Sequence, residues 1–549
     1  MSKLGLRGVL LALGVLAMAV AAACGGGSSS SGGGGKSGGS IKIGSVLPDE
    51  YDPVMFQTVQ ANEPLQLVYK GLVTYKDAEG TEGNKLIPGL ATEVPKPTNG
   101  GKTYTFTLRK GLKYSDGEPV KASDYENTIK RLLFLGGPFS SFATSIKGAT
   151  EYQDAKKQDG DISGITADDA KGTITVNLTA PDSQYLYAAG LANQAPTPAK
   201  KSPFKKSNSI PGIGPYTISI QNPSRQYTLT KTSGFNIPGI SKGKVDKMTV
   251  VKESVPKMTQ DVIDGKLDFM TEDPTDQLAE VKSKYKDRFR EDPNPPNTYW
   301  FFMNHTTPPF DKAEVRQAVN YALDSKALQR VFNGRLQPTC NFLPALYAGM
   351  GYKKIDPCPW GDPNGKPDIA KAKQLVEKSG DKGMKVTVWA NNKDPRPAIA
   401  DYYRDMLNQI GFKASTKIID QQVYFGTVGT KKTKAQTGFT DWFQDFPHPN
   451  DFFEPNLSSA ALSSSPVFNF EYAPTPPDID ATLKKLKPQK PQDASDQWAA
   501  LDKKLIDNGD IAVYGSELST SFFSERMDFQ NCSGVHPVYK NDFALFCLK

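Results

Sequence analysis

The sequence predicts a mixed α/β protein. Three patterns carry that expectation: short stretches alternating apolar and polar side chains, longer stretches with an apolar residue every three or four positions, and one strand–helix–strand succession with short connections. Ile41-Lys42-Ile43-Gly44-Ser45-Val46 alternates and opens the fold as a strand. Thr103 to Arg109 (TYTFTLR) is a second strand, followed by a turn at Asp116-Gly117 and a helix over Ala122 to Leu133. Thr173 to Leu178 (TITVNL) is a third strand, closed by Pro181.

Two later stretches are clearer. Asp311 to Phe332 carries Val315, Ala318, Val319, Ala322 and Leu323 at helical spacing, with Asp311 and Glu314 as a capping-box-like start and Gly334 as the stop. Met384 to Ala390 (MKVTVWA) reads as a strand; Ile399, Tyr402, Tyr403, Met406, Leu407 and Ile410 then form one helical face ended by Gly411, and Phe412 to Ile419 returns as a strand. That succession predicts a βαβ unit with a parallel pair. Asp292-Pro293-Asn294-Pro295-Pro296 is strong punctuation and a candidate crossover between two halves.

The first residues are an address. Lys3 and Arg7 form a basic start, Val9 to Ala23 is apolar or small, and Ala21-Ala22-Ala23 precedes Cys24. A charged start, a short apolar core and a small-residue cleavage site make a secretory signal peptide over residues 1–23. The cysteine after the small residues resembles the bacterial lipobox, whose thiol takes a diacylglyceryl group. That resemblance implies a chain held at the outer face of the cytoplasmic membrane by lipid on Cys24, with residues 24–40 as a Gly/Ser tether. At about 5–6 Å × √n such a tether reaches about 20–24 Å. No later segment has the ~20 consecutive apolar residues of a membrane span.

Composition excludes several function classes. The formal charge of +7 falls to +5 without Lys3 and Arg7, and the lysine pairs such as Lys200-Lys201 and Lys431-Lys432 are dispersed. Dispersed lysines on an exported chain read as solvated surface and not as a nucleic-acid track. Beyond Cys24 the cysteines are Cys340, Cys358, Cys532 and Cys547. Four thiols allow three connectivities, and the local pairs Cys340–Cys358 and Cys532–Cys547 are the expected ones; loops of that size are worth about 3 kcal/mol each in the chain-entropy account. No C-x-x-C occurs and His305, His448 and His536 are scattered, so neither a metal site nor any cofactor is expected. Gly35-Lys36-Ser37-Gly38-Gly39 matches a nucleophile elbow by chance, since it lies in the tether with no strand before it. Nothing assembles into an activated nucleophile, and no enzymatic activity is expected.

From Leu86 onward the chain resembles the family 5 solute-binding proteins of ABC importers, the oligopeptide, dipeptide and nickel group. Leu86-Ile87-Pro88-Gly89-Leu90-Ala91, Lys102 to Gly111 and Ser115 to Asp124 follow the family's signature region. Further landmarks keep family order: Tyr69-Lys70-Gly71-Leu72, Gly212-Ile213-Gly214-Pro215-Tyr216, Asp264-Gly265-Lys266-Leu267-Asp268, and Phe302-Met303-Asn304 with Val315-Arg316-Gln317-Ala318. The resemblance spans residues 41–549 and implies two α/β lobes joined by a hinge, as in periplasmic binding proteins, with ligand buried between them. By the same resemblance the first lobe is 41–295 with an inserted subdomain at 76–210, the second is 296–510, and 511–549 returns to the first.

The resemblance also implies a ligand site. Trp442-Phe443-Gln444-Asp445 with Pro449 is similar to the W-x-x-D-x-x-x-P segment of the peptide binders. In those proteins the aspartate receives the ligand's α-ammonium group and the tryptophan helps wall the cleft, roles that carry over to Asp445 and Trp442. A basic residue three before the tryptophan serves the ligand carboxylate in some members; Phe439 stands there in this chain. His448, a ligand contact or otherwise a solvent-facing loop residue, and Tyr299 with Trp300 and Phe301, which are cleft-lining or core, complete the candidates. The implied role is capture of a short peptide by a monomer for an ABC permease. The alternatives are a sugar, a metal chelate or a signalling peptide in the same cleft, and, in a different class, a secreted hydrolase.

Overall fold

The computed structural model describes residues 36–292, 295–463, 466–532 and 534–549. The signal segment and Cys24 lie outside the described residues, as do Pro293 and Asn294.

Two sheets organise the body. The first has seven strands in the order Phe289–Glu291, Thr520–Phe523, Phe269–Met270, Ser40–Ser45, Lys247–Lys252, Gln226–Lys231 and Tyr216–Asn222. Ser40–Ser45 runs parallel to both of its neighbours, and the other pairings are antiparallel. The second has six: Leu336–Gln337, Ala512–Glu517, Asn297–Met303, Thr437–Phe443, Lys385–Asn391 and Lys413–Ile419. Its central strand, Asn297–Met303 (NTYWFFM), is buried at every position because it has strands on both sides and packing on both faces. Its edge strand, Lys413–Ile419, carries Lys413 and Lys417 toward solvent, charges that discourage pairing with a further chain.

The expected βαβ unit is present: Lys385–Asn391 and Lys413–Ile419 pair in parallel across the helix Arg396–Ile410. That helix buries Ile399, Tyr403, Met406, Leu407 and Ile410, and Tyr403 stacks on Phe301 with ring centroids 3.8 Å apart. The long helix expected over Asp311 to Phe332 is two, Ala313–Ala322 and Ser325–Val331. Asp324 makes the break. Its side chain accepts the Ala327 N–H at 2.8 Å as the cap of the second helix, and an N-cap residue takes extended backbone angles that the first helix cannot continue through.

The chain passes between the sheets twice, side by side. Asp292 leaves the first sheet toward Asn297, and its N–H donates to Ser519 O at 2.9 Å, on the return passage from Glu517 to Thr520. Ala512–Glu517 belongs to the second sheet, paired with Asn297–Met303, and the chain re-enters the first sheet at Thr520.

A third sheet of Thr103–Thr107, Thr173–Asn177 and Ile165–Asp168 has its own core, with Phe106, Ile129, Leu132, Ile174 and Val176 fully buried. An ion pair with no solvent exposure ties this region to the segment that follows Ser40–Ser45. Arg131 on the helix Ser123–Leu135 donates from Nη1 to Asp52 Oδ1 at 2.7 Å and from Nη2 to Asp52 Oδ2, and reaches Pro203 O and Lys205 O at 2.7 and 2.9 Å. Asp52 also accepts the Ser207 and Val54 N–H groups at 2.8 and 3.1 Å.

Disulfides join Cys340 to Cys358 and Cys532 to Cys547. Residues 36–40, the described part of the Gly/Ser segment, bond to the body. Lys36 N–H donates to Leu548 O at 2.9 Å, Gly38 N–H to Lys244 O at 2.7 Å and Gly39 N–H to Asp246 Oδ2 at 3.0 Å.

Candidate functional site

A cavity of about 140 Å³ lies between the two sheets. Its walls are built from the segments that follow parallel strands. Phe56 and Gln60 come after Ser40–Ser45, and Glu272 and Asp273 after Phe269–Met270; Lys393 and Arg396 come after Lys385–Asn391, and Gln444 and Asp445 after Thr437–Phe443. In α/β sheets ligands collect at such carboxyl ends, where the connections diverge and backbone groups are left to face a guest. Phe139, Phe425, Phe439, Trp442 and Phe468 supply the apolar part of the wall.

The charges on this wall are mostly matched. Arg335, 1 % exposed, pairs with Glu517 Oε1 at 2.6 Å and Asp273 Oδ2 at 3.0 Å. Lys393 pairs with Glu272. Lys540 is held charged against the cost of burial by Asp273, Glu272 and Glu63. Arg396, 5 % exposed, donates from Nη2 to Asp441 Oδ2 and to Tyr299 Oη, both at 3.1 Å. Its guanidinium lies between two rings, 4.7 Å from the centroid of Tyr299 and 4.8 Å from that of Phe439, a position that stabilises a weakly hydrated cation. Two of these pairs, Lys393–Glu272 and Arg335–Asp273, run from connections of one sheet to connections of the other.

Asp445 is different. It is largely buried and has no basic partner among the described residues. Its Oδ2 is sealed from solvent without a hydrogen-bond partner. Burial pushes its carboxyl up to about 8, because an isolated carboxylate loses its hydration there. Behind it sits Asp451, 0 % exposed, whose Oδ2 accepts the Asp445 backbone N–H at 2.8 Å. Burial and the neighbouring Asp445 both push Asp451 up. Arg396 Nη1 is also buried without a hydrogen bond, as are Arg335 Nε, Gln444 Oε1 and Thr275 Oγ1 of the same wall.

The other residues singled out from sequence divide clearly. Trp442 is on the wall, edge-on to Phe468 with centroids 5.2 Å apart and near Phe139 at 6.4 Å. Tyr299 is on the wall as well, but its hydroxyl is engaged by Glu517 Oε2 at 2.5 Å and by Arg396, so it braces the cation. Trp300 and Phe301 are core, at 1 % and 0 % exposure.

His448 is neither a wall residue nor a solvent-facing one. It is completely buried beside Trp498; its Nδ1 accepts the Asn450 N–H at 3.1 Å, and its Nε2 meets Ser183 Oγ at 3.0 Å. Burial, with Lys487 nearby, lowers its imidazole to about 3 and keeps it neutral. Sequence reasoning missed Arg396 and Asp451. The position of Arg396, just beyond the carboxyl end of a strand in the βαβ unit, is the signal that points to it.

The sequence model of the bacterial extracellular solute-binding proteins, family 5 (middle part), matches residues 85–464. Dipeptide-binding protein DppE of Bacillus subtilis is 25 % identical over 455 residues, covering 77 % of this chain and 78 % of that protein. Glutathione-binding protein GsiB of Escherichia coli O6:K15:H31 is 26 % identical over 427 residues, covering 74 % and 77 %. Among solved structures, the murein tripeptide binding protein MppA of Escherichia coli superposes with a TM-score of 0.79 at 19 % identity, covering 94 % of this chain and 99 % of that one.

Proposed function

Because the chain belongs to the bacterial extracellular solute-binding proteins of family 5, binding proteins and not enzymes, we propose that its solute is a short zwitterionic peptide, held by its ammonium group at Asp445 and its carboxylate at Arg396. One observation carries this reading. The same cavity wall holds a buried carboxylate oxygen and a buried guanidinium nitrogen that each lack a hydrogen-bond partner, Asp445 Oδ2 and Arg396 Nη1. Leaving such atoms unpaired is costly, and a ligand with one cationic and one anionic end satisfies both. Arg396, arriving from the helix after the Lys385–Asn391 strand, then serves the end for which Phe439 has no charge.

Size points the same way. At ~30 Å³ of liquid volume per water the cavity of about 140 Å³ holds roughly five waters, in scale with a small dipeptide. A relative named for a dipeptide agrees in scale.

The test is calorimetry on protein stripped of ligand, with di- and tripeptides beside their N-acetylated and C-amidated forms. Free peptides bind at micromolar or tighter affinity, and either cap weakens binding by about 30-fold or more, the ~2 kcal/mol lower bound for leaving one buried charge unpaired. Equal affinity for capped and free peptides, or a non-peptide identified by mass spectrometry in ligand released from the purified protein, overturns the reading.

Delivery to an ABC permease is part of the same proposal, with lipid on Cys24 keeping the receptor near it. A tethered receptor gains effective concentration at its target, and two or more acyl chains anchor firmly at about 0.8 kcal/mol per buried methylene. Cys24→Ser moves the protein from the membrane fraction to the soluble exported fraction; retention at the membrane in that variant removes the anchor from the account.

A further inference from the structure

We propose that Asp451 makes the ammonium end of the cavity a proton-exchange site: in the empty protein the Asp445 and Asp451 carboxyls hold one proton between them, and a ligand ammonium enters by sending that proton to solvent. The inference rests on the reading of Asp445 as the ammonium acceptor and adds a second residue and a pH dependence to it.

The geometry carries the argument. Asp451 stands in the first turn of the helix Asn450–Leu457, completely buried directly behind Asp445, and is bound to it through the Asp445 N–H at 2.8 Å. The groups that face the pair bring no compensating charge. Trp442 offers an indole N–H. Tyr75 and Tyr347 feel both carboxyls, and their phenols, pushed up by burial, stay neutral. His448 on the adjoining turn is held neutral. Farther along the same helix, Glu454 is matched by Lys487. Two adjacent carboxyls in a water-poor site with no cation do not both ionise, and the proton belongs to the pair. The direction in which burial moves both groups agrees.

Two further observations point to a ligand. Asp445 and the 5 %-exposed Arg396 both line the cavity, and each has a sealed polar atom without a hydrogen-bond partner, Oδ2 and Nη1. A cationic guest at Asp445 removes the reason for the proton to stay. The step balances simply: one carboxyl O–H bond breaks, its proton goes to the buffer, the ammonium keeps all of its own protons, and the net charge of the occupied site equals that of the empty one. Asp451 is then a specificity-determining residue, because its second negative charge favours a full ammonium over a neutral donor such as an amide.

The sign follows from linkage. Binding that releases one proton strengthens about tenfold per pH unit wherever the empty pair is protonated and the peptide amine, with its ordinary pKa of ~7.7–8, is still charged. That window runs from about pH 5.5 to 7.

Two measurements test the inference separately. Carbon-13 NMR titration of the aspartate carboxyls in ligand-free protein needs no ligand: one proton of the pair persists to about pH 8, and in Asp451→Asn the remaining Asp445 titrates at least one pH unit lower. Ionisation of both carboxyls by pH 6 in the wild type overturns the proposal whatever binds. Calorimetry at pH 6.5 in phosphate and in Tris, with a free dipeptide or tripeptide from the set above, gives release of about one proton per peptide in the wild type and none in Asp451→Asn, whose affinity is flat across the window. Tight peptide binding without proton release overturns the exchange and leaves the peptide reading standing. A retained proton with no peptide bound overturns the peptide reading and the exchange with it.

Discussion

Asp445→Ala lowers affinity for a free-amine peptide by about 30-fold to a few thousand-fold, the equivalent of the ~2–5 kcal/mol lost when a buried hydrogen-bonded charge pair is broken at one end. The size of the effect comes from the surroundings. Oδ2 of Asp445 is out of solvent, and nothing basic among the described residues takes over its charge. The ammonium left behind in the variant therefore meets aromatic walls, with Asp451 one layer deeper. The fold tolerates the change, because the bond from residue 445 to Asp451 uses a backbone N–H and because one of two crowded carboxyls has gone. Calorimetry with a free peptide and its N-acetyl form separates a lost ammonium contact from a damaged cleft. In the variant the two forms bind alike. A variant that binds the free peptide as tightly as wild type removes Asp445 from the site.

The second large effect is on stability. Arg131→Leu destabilises by about 3–5 kcal/mol, because Asp52 is left as an uncompensated charge with no access to water. All the outward-facing donors of Arg131 are used, on Asp52, Pro203 O and Lys205 O, and both side chains have 0 % exposure. Three stretches distant in sequence are fixed through this one guanidinium. Adding Asp52→Leu to the first change restores a large share of the loss, since an apolar pair of similar volume replaces a buried ion pair at little cost. Urea denaturation of the two single variants and the double variant measures this. A loss below about 1 kcal/mol for Arg131→Leu contradicts the account, being what a solvent-screened surface pair contributes.

Local pattern carried the strands and helices whose faces are decided locally. TYTFTLR and TITVNL pair with one another as Thr103–Thr107 and Thr173–Asn177, and the Ile399 to Ile410 stripe is the buried face of its helix. Pattern failed where a single polar atom or a distant strand decides. Asp324 splits a run that is helical in its apolar spacing, because its carboxylate caps the next helix. The passage at Leu518-Ser519 is illegible because the apolar residues on either side suit a strand equally well, and only their partners, Asn297–Met303 before and Phe269–Met270 after, differ.

The site divides in the same way. Trp442 and Asp445 stand at the end of one strand within four residues and are readable as a unit. Arg396 looks like any charged residue in the first turn of a helix; what buries it are the rings of Tyr299 and Phe439, supplied by two other strands. His448 reads as a loop histidine because Ser183, which lies 265 residues earlier, and Trp498 cover it only in the folded chain.

The bond between Lys36 and Leu548 gives the molecule a top and a bottom. Ser40–Ser45 begins four residues after Lys36 and runs toward the segment that contributes Phe56 and Gln60 to the cavity. Six residues of strand at ~3.3 Å each put roughly 20 Å between the two. Both ends of the described body thus lie at the foot of the first sheet, while the cavity lies toward its head. A label fused beside Leu548 therefore sits at the base of that sheet, about a strand's length from the cavity.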